Sequence, residues 1–146
     1  MDDEPDVVDI LQKSLQKWDF AADGFTNPVT ALDYFRQNHQ NYSLVIVDLK
    51  MKQMTGFQLL EKIRELKPEV KVLLITAFVR ELLDIPADLK PILNRDAILE
   101  KPFGVQKVCE RVRQQLNINP PLSGREKVRL KKKGNGKEIK EGKKEK

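Results

Sequence analysis

The sequence predicts an α/β protein built on a doubly wound parallel sheet, and three observations support this fold class. Short apolar runs alternate with segments whose apolar residues recur at helical spacing, which is the order of βαβ units. The run Leu44-Val45-Ile46-Val47 shows no polar alternation, as is typical of a strand covered by helices on both faces. It ends in Asp48, and such sheets bind ligands at the carboxyl ends of their strands. From this stretch alone, an acid that merely ends a strand is the alternative.

The elements before that strand are two helices and a weaker strand candidate. Apolar residues at helical spacing predict a first helix over about residues 5–17, with acids in the first turn, where the helix dipole favours them. Residues 18–25 form the weaker strand candidate. Asn27-Pro28 is typical of an N-cap followed by proline at the first helical position, and that helix is expected to end near Asn38.

The second half of the chain continues the alternation. We predict a helix from Gly56 to just before Pro68, a strand over 70–76, a short strand over 97–100 and a last helix over 105–116. Residues 80–94 fit no regular helix, because Pro86 and Pro91 interrupt the pattern.

The charge distribution divides the chain into a domain at 1–119 and a tail at 120–146. Residues 122–146 contain 11 Lys or Arg against 4 Glu, whereas residues 1–121 contain 16 basic and 18 acidic residues, a net charge of −2. The tail has almost no apolar residues, so we predict that it is disordered.

Composition also limits the class of protein. No apolar run approaches the roughly 18 residues of a membrane helix, and the acidic opening does not resemble a signal peptide. The single cysteine, Cys109, excludes an internal disulfide and a cysteine metal cluster. We therefore expect a cytoplasmic protein without a membrane contact.

Polar side chains stand where three predicted strands end. These are Asp48, Thr76 and Lys101, and the pair Asp2-Asp3 precedes the first helix at the same edge of the sheet. Gathered carboxylates repel one another, and Mg²⁺ relieves that repulsion by binding one or two of them with water and phosphate oxygens. A carboxylate beside Mg²⁺ can accept a phosphoryl group, whose charge a cation and a hydroxyl such as Lys101 and Thr76 would stabilise.

These residues resemble the receiver domain of two-component response regulators over about residues 2–117. The motifs that carry the resemblance are Asp2-Asp3-Glu4-Pro5, Leu44 to Met51, Gly56-Phe57, Leu74-Ile75-Thr76-Ala77 and Glu100-Lys101-Pro102-Phe103. Each motif alone is weak, whereas their order is specific. The resemblance implies a flavodoxin-like sheet of order 2-1-3-4-5.

The resemblance also implies a role for each candidate residue. Asp48 would be the phosphoacceptor, Thr76 the switch hydroxyl, Lys101 the counter-ion, Asp3 a direct Mg²⁺ ligand, Asp2 a ligand through water and Lys50 a ligand through its carbonyl oxygen. The phosphoryl donor would be a histidine kinase or a phosphotransfer protein. A stand-alone regulator of this kind would assist its own phosphorylation and dephosphorylation, switch a surface for an unknown downstream protein target and turn over no other substrate.

One departure from the family is large. Receivers have an apolar strand before the acidic pair, whereas only Met1 precedes Asp2 here. Losing about five buried apolar side chains would cost about 10 kcal/mol, against a total domain stability of about 5–15 kcal/mol. One hypothesis is that an internal GTG codon was read as the initiator, which the upstream DNA would decide. The alternative is a genuine truncation, with low stability and an impaired metal site.

Other functions fit less well. One alternative is a pseudo-receiver interaction module that is not phosphorylated, whose basic tail contacts nucleic acid weakly and without sequence specificity. An aspartyl phosphohydrolase generally carries a second acid two residues after the nucleophile, where Lys50 stands. Gly134-Asn135-Gly136-Lys137 lacks the spacing of a phosphate-binding loop.

Overall fold

The computed structural model of the chain describes residues 1–118 with their side chains, together with the backbone of 126–132 and 138–144. Its main elements are α1 (Pro5–Lys17), α2 (Pro28–Asn38), β1 (Leu44–Asp48), α3 (Gly56–Leu66), β2 (Lys71–Thr76), β3 (Ile98–Glu100), α4 (Val105–Gln115), β4 (Glu126–Lys132) and β5 (Glu138–Lys144). Short 3-10 helices cover His39–Asn41, Val79–Asp84 and Arg95–Ala97. None of the helices described there is long and apolar enough to cross a membrane.

The central sheet is parallel, with strand order β1-β2-β3. Asp48 pairs in register with Ile75, and Thr76 pairs with Glu100, so the three strands end at the same edge. This arrangement places the residues that follow each strand close together, as the sequence predicts.

Helices cover both faces of this sheet. Val72 and Leu74 point into a core shared with α2 and α3, whereas Leu73 and Ile75 point into a second core shared with α1 and α4. This alternation is the two-residue period of a strand, and both sets are almost fully buried. The doubly wound parallel fold class is therefore confirmed.

The helix starts agree with the sequence. The Asn27 side chain accepts hydrogen bonds from the backbone N–H groups of Val29 (2.9 Å) and Thr30 (3.1 Å). Thr55 and Gln58 form a reciprocal capping box at the start of α3. Residues 80–94 contain no α-helix, in agreement with the prediction from Pro86 and Pro91.

The predicted strand over residues 18–25 is wrong. This segment belongs to neither described sheet, and its tie to the acidic pair is one backbone hydrogen bond, from Asp2 N to Phe25 O (3.2 Å). The physical reason is that a strand needs a neighbouring strand that supplies a full ladder of hydrogen bonds. Within residues 1–118, Met1 and Asp2 alone reach the position between this segment and β1.

Met1 occupies the end of an otherwise open strand position beside β1. Its ammonium donates to the Ile46 carbonyl (2.8 Å), and its carbonyl accepts from the Asp48 N–H (3.0 Å). Parallel pairing alternates along a strand, so the Leu44 backbone groups and the Ile46 N–H face this same side. Burial lowers the pKa of the Met1 amine to about 6, although the carboxylates of Asp2 and Asp48 raise it.

A cavity of about 160 Å³ lies along this open position. Apolar side chains of α1, β1 and α3 line much of it, among them Leu11, Leu15, Val47 and Leu59. The cavity is therefore an apolar slot that continues from Met1 along the edge of β1, and we call it the edge slot.

The tail prediction concerns residues that are described only in part. Strands β4 and β5 pair antiparallel, with Glu126 opposite Lys144. A two-stranded hairpin is marginally stable by itself in water. The prediction of disorder over 120–146 therefore stays a prediction, and 119–125, 133–137 and 145–146 lie outside the described residues.

The edge slot leads to a stability prediction. Five apolar β-branched residues added before Met1 are expected to raise the free energy of unfolding by about 2–5 kcal/mol, since burial outweighs the ordering cost. Urea denaturation of the two proteins measures this difference. A five-residue Gly-Ser extension is the control, and equal stabilisation by both extensions would contradict an apolar strand site.

Cys109 provides a second prediction. Its side chain is 1% exposed, and burial raises the pKa of its thiol to about 11. Iodoacetamide should therefore alkylate the native protein at least about a hundredfold more slowly than the urea-unfolded protein. Mass spectrometry follows the reaction, and Ala87→Cys in a Cys109→Ser background is the exposed control. Equal rates for the two cysteines in native protein would refute the prediction.

Candidate functional site

Three carboxylates converge at the carboxyl edge of the sheet. Each of Asp2, Asp3 and Asp48 offers an oxygen, and these atoms lie within 4.8 Å of one another. Asp2 is 2% exposed and Asp48 is 5% exposed, so two of the acids are buried. Such a group of hard oxygen atoms could hold a divalent cation.

Backbone contacts hold the acids in place. The Met1 carbonyl accepts from Asp48 N, which ties the residue before Asp2 to the end of β1. The Asp2 side chain then accepts from the Glu4 N–H through Oδ1 (3.0 Å) at the start of α1. Met1 pairs with β1 as the last residue of a neighbouring strand would, and this pairing brings the acidic pair to the end of β1.

Lys101 supplies the positive charge of the site. Its Nζ lies 3.2 Å from Asp2 Oδ2 and 3.6 Å from Asp48 Oδ2. Its backbone N–H donates to the Thr76 carbonyl (2.8 Å), which fixes the residue just beyond β3 against the end of β2. The structure thus brings Lys101 to the acids, as the sequence predicts.

The electrostatics of the site oppose ionisation of Asp48. Burial, the charge of Asp2 and, least, the charge of Asp3 raise its pKa, whereas Lys101 lowers it, and together they place the pKa at about 6. Burial lowers the pKa of Lys101, but Asp48 and Asp2 raise it by more, so it lies above its ordinary value. The Lys101 ammonium therefore stays charged, but its charge does not fully offset the burial of the Asp48 carboxylate and the repulsion from its acidic neighbours.

Thr76 lies at the end of β2 but its hydroxyl is engaged elsewhere. It is 1% exposed, and its Oγ1 lies 2.8 Å from Glu81 Oε2 and 3.1 Å from the Phe78 carbonyl. It also accepts from the Phe78 N–H (3.2 Å). Sequence reasoning missed Glu81, because it stands in the segment without a regular pattern.

The loop after β1 is shaped by a close approach at Gly56. A Cβ at this position would lie 2.6 Å from the Asp48 carbonyl oxygen, so the start of α3 can touch β1 only at glycine. Within the loop, the Lys50 ammonium lies 5.9 Å from the centre of the Phe78 ring. No described contact tests the predicted Lys50 carbonyl ligand, which stays a prediction.

Comparison with known proteins identifies the class. The model of the response regulator receiver domain matches residues 1–113, and the chain belongs to this family. It is a receiver domain of two-component signalling, a class of phosphoacceptors rather than of enzymes that turn over other substrates.

Individual relatives agree with this assignment. The response regulator receiver protein CpdR of Brucella abortus is 29% identical over 116 residues, which cover 79% of this chain and 92% of CpdR. The transcriptional regulatory protein CreB of Escherichia coli is 32% identical over 116 residues, 80% of this chain and 48% of CreB. The chain thus spans nearly all of one relative and about half of the other.

A solved structure shares the fold. The response regulator protein TrrA of Thermotoga maritima, in complex with Mg²⁺ and beryllium fluoride, superposes with a TM-score of 0.66. It is 28% identical, and the match covers 78% of this chain and 93% of that chain.

The raised pKa of Asp48 leads to a stability prediction. The folded state keeps the Asp48 proton to about pH 6, whereas an ordinary aspartate loses it near 3.8. The contribution of Asp48 to stability therefore falls as pH rises through this window, because at this group the folded state binds more protons than the unfolded state. In chelator at pH 7, Asp48→Asn should raise the free energy of unfolding by about 1–3 kcal/mol.

Urea denaturation at pH 4 and pH 7 measures this effect. The exposed Asp88 provides the matched control, because Asp88→Asn removes the same charge from a solvent-exposed position. If Asp48→Asn and Asp88→Asn changed the free energy of unfolding equally at both pH values, the ionised Asp48 carboxylate would not destabilise the fold.

Proposed function

We propose that Asp48 of this receiver domain accepts a phosphoryl group from the phosphohistidine of a histidine kinase or a phosphotransfer protein. The observation that carries the proposal is the convergence of Asp2 and Asp3 on Asp48, with Lys101 Nζ 3.6 Å from the Asp48 carboxylate. This set combines a nucleophilic carboxylate, acids that suit a cation and a fixed ammonium. It contains the parts that in-line phosphoryl transfer uses.

The donor set suits Mg²⁺, which prefers a few carboxylate oxygens and keeps several waters. Asp2 already has both oxygens engaged, one by Glu4 N–H and one by Lys101, which supports a role through water. Asp3 and Asp48 remain for direct contact, and the Lys50 carbonyl would complete the protein ligands. When bound, the ion neutralises charge on the acids and on the transferring phosphoryl oxygens. TrrA, whose structure contains Mg²⁺ and beryllium fluoride, supports this choice of cation.

The residues then divide the chemical work. An Asp48 carboxylate oxygen forms a bond to phosphorus while the bond from phosphorus to the donor imidazole nitrogen breaks, and the electron pair stays on that nitrogen. Lys101 balances the charge that the phosphoryl group brings to the buried edge. Hydrolysis of the resulting acyl phosphate resets the protein.

Thr76 provides the response to phosphorylation. Its hydroxyl lies at the end of the strand next to Asp48 and donates to a phosphoryl oxygen once the group is present. Moving this hydroxyl changes the segment that follows β2, which forms the surface for a downstream protein target. The receiver domain acts as a cytoplasmic switch.

Intact mass spectrometry tests the proposal. Incubation with acetyl phosphate and Mg²⁺ should add the mass of one phosphoryl group to wild type and none to Asp48→Ala, because no other residue within 1–118 combines these contacts. Chelator should abolish the addition. Asp88→Asn is the control and should react like wild type.

Two results would contradict the proposal. Addition to Asp48→Ala would place the phosphoryl group elsewhere. A wild-type protein that stays unmodified while Mg²⁺ is bound would favour the pseudo-receiver alternative.

A further inference from the structure

The Thr76 hydroxyl is already committed in the described structure. Its strongest acceptor is the Glu81 carboxylate at 2.8 Å, and the Phe78 carbonyl lies farther away at 3.1 Å. A hydroxyl has one proton to donate, and a hydrogen bond to a carboxylate is stronger than one to a neutral carbonyl. Thr76 can therefore serve a phosphoryl group only by giving up Glu81.

The segment that carries Glu81 is weakly anchored. None of the residues of the 3-10 helix Val79–Asp84 is buried. Leu83 is 82% exposed, Val79 is 55% exposed and the neighbouring Phe78 is 53% exposed. Leu82 is half-buried against the core, and no residue of the helix is fully buried. A segment with so few buried contacts opens at low free energy, so one hydrogen bond to a buried residue matters for its position.

We propose that Glu81 is a positioning residue that opposes the phosphorylated state by competing with the phosphoryl group for the Thr76 proton. The inference rests on the proposed function. Without a phosphoryl group, Glu81 holds the Thr76 hydroxyl and fixes Val79–Asp84 against the end of β2. With the group present, the Thr76 hydroxyl donates its hydrogen bond to a phosphoryl oxygen instead. The negative charge of the phosphoryl group then repels the released Glu81 carboxylate. The segment Val79–Asp84 then changes position.

The proposal differs from a purely structural role of Glu81. A structural role predicts that removing Glu81 loosens the segment and nothing else. Competition predicts in addition that removing Glu81 raises the affinity for any phosphoryl mimic bound at Asp48. The reason is that Glu81 and the mimic both need the one hydrogen bond that the Thr76 hydroxyl can donate.

Binding of beryllium fluoride with Mg²⁺ is the direct test, because beryllium fluoride mimics a phosphoryl group and binds reversibly. Glu81→Ala should bind it about three- to tenfold more tightly than wild type, since a hydrogen bond to a charged group no longer has to break. Glu81→Gln keeps an acceptor without the charge and should fall between the two. Asp84→Asn, an exposed acid of the same segment, is the matched control and should equal wild type.

Amide hydrogen exchange in the absence of phosphodonor provides the second measurement. Glu81→Ala and Thr76→Val should each speed exchange over residues 78–84, and the double variant should add little to either. This result does not depend on phosphorylation of Asp48.

The outcomes separate the two proposals. Wild-type protein that does not bind beryllium fluoride would overturn the proposed function, and unchanged exchange in Glu81→Ala would overturn the role of Glu81. Equal affinity of wild type and Glu81→Ala would overturn competition while leaving phosphorylation intact. An increase in beryllium fluoride affinity in Asp84→Asn equal to that in Glu81→Ala would overturn competition, because loss of any negative charge in the segment would then explain the effect.

Discussion

The site depends on keeping like charges together in a buried place. Asp2 and Asp48 are almost completely buried, and the Lys101 ammonium lies close to both. Its charge does not balance three converging acids, and burial together with the charge of Asp2 raises the pKa of Asp48. Backbone contacts hold the mutually repelling carboxylates together, so an additional positive charge would stabilise the site.

Much of the fold could be predicted because its signals are local. Helix α1 follows from the spacing of Leu11 and Leu15, and the start of α2 follows from Asn27 and Pro28. The strand predicted at 18–25 failed because a strand is not local. It requires a neighbouring strand that supplies a ladder of hydrogen bonds, and in the structure Met1 stands where such a neighbour would end.

The site could be predicted in part for the same reason. Asp48 and Thr76 end their strands and Lys101 follows one, and the parallel register brings all strand ends to one edge of the sheet, independent of side-chain identity. The contact from Thr76 to Glu81 has no such signal. Glu81 lies in a 3-10 segment whose path depends on tertiary contacts, so neither periodicity nor a motif indicates where its carboxylate points.

The two hydrogen bonds of Met1 have a thermodynamic consequence. The same residue closes the edge slot and places Asp2 beside Asp48, so the two regions share one set of backbone contacts. Reciprocity would then apply to the proposed cation: a group that filled the slot, steadied Met1 and so strengthened cation binding by some factor would itself bind more tightly, by that same factor, when the cation was present. Affinity measured at one region would in that case report on the state of the other.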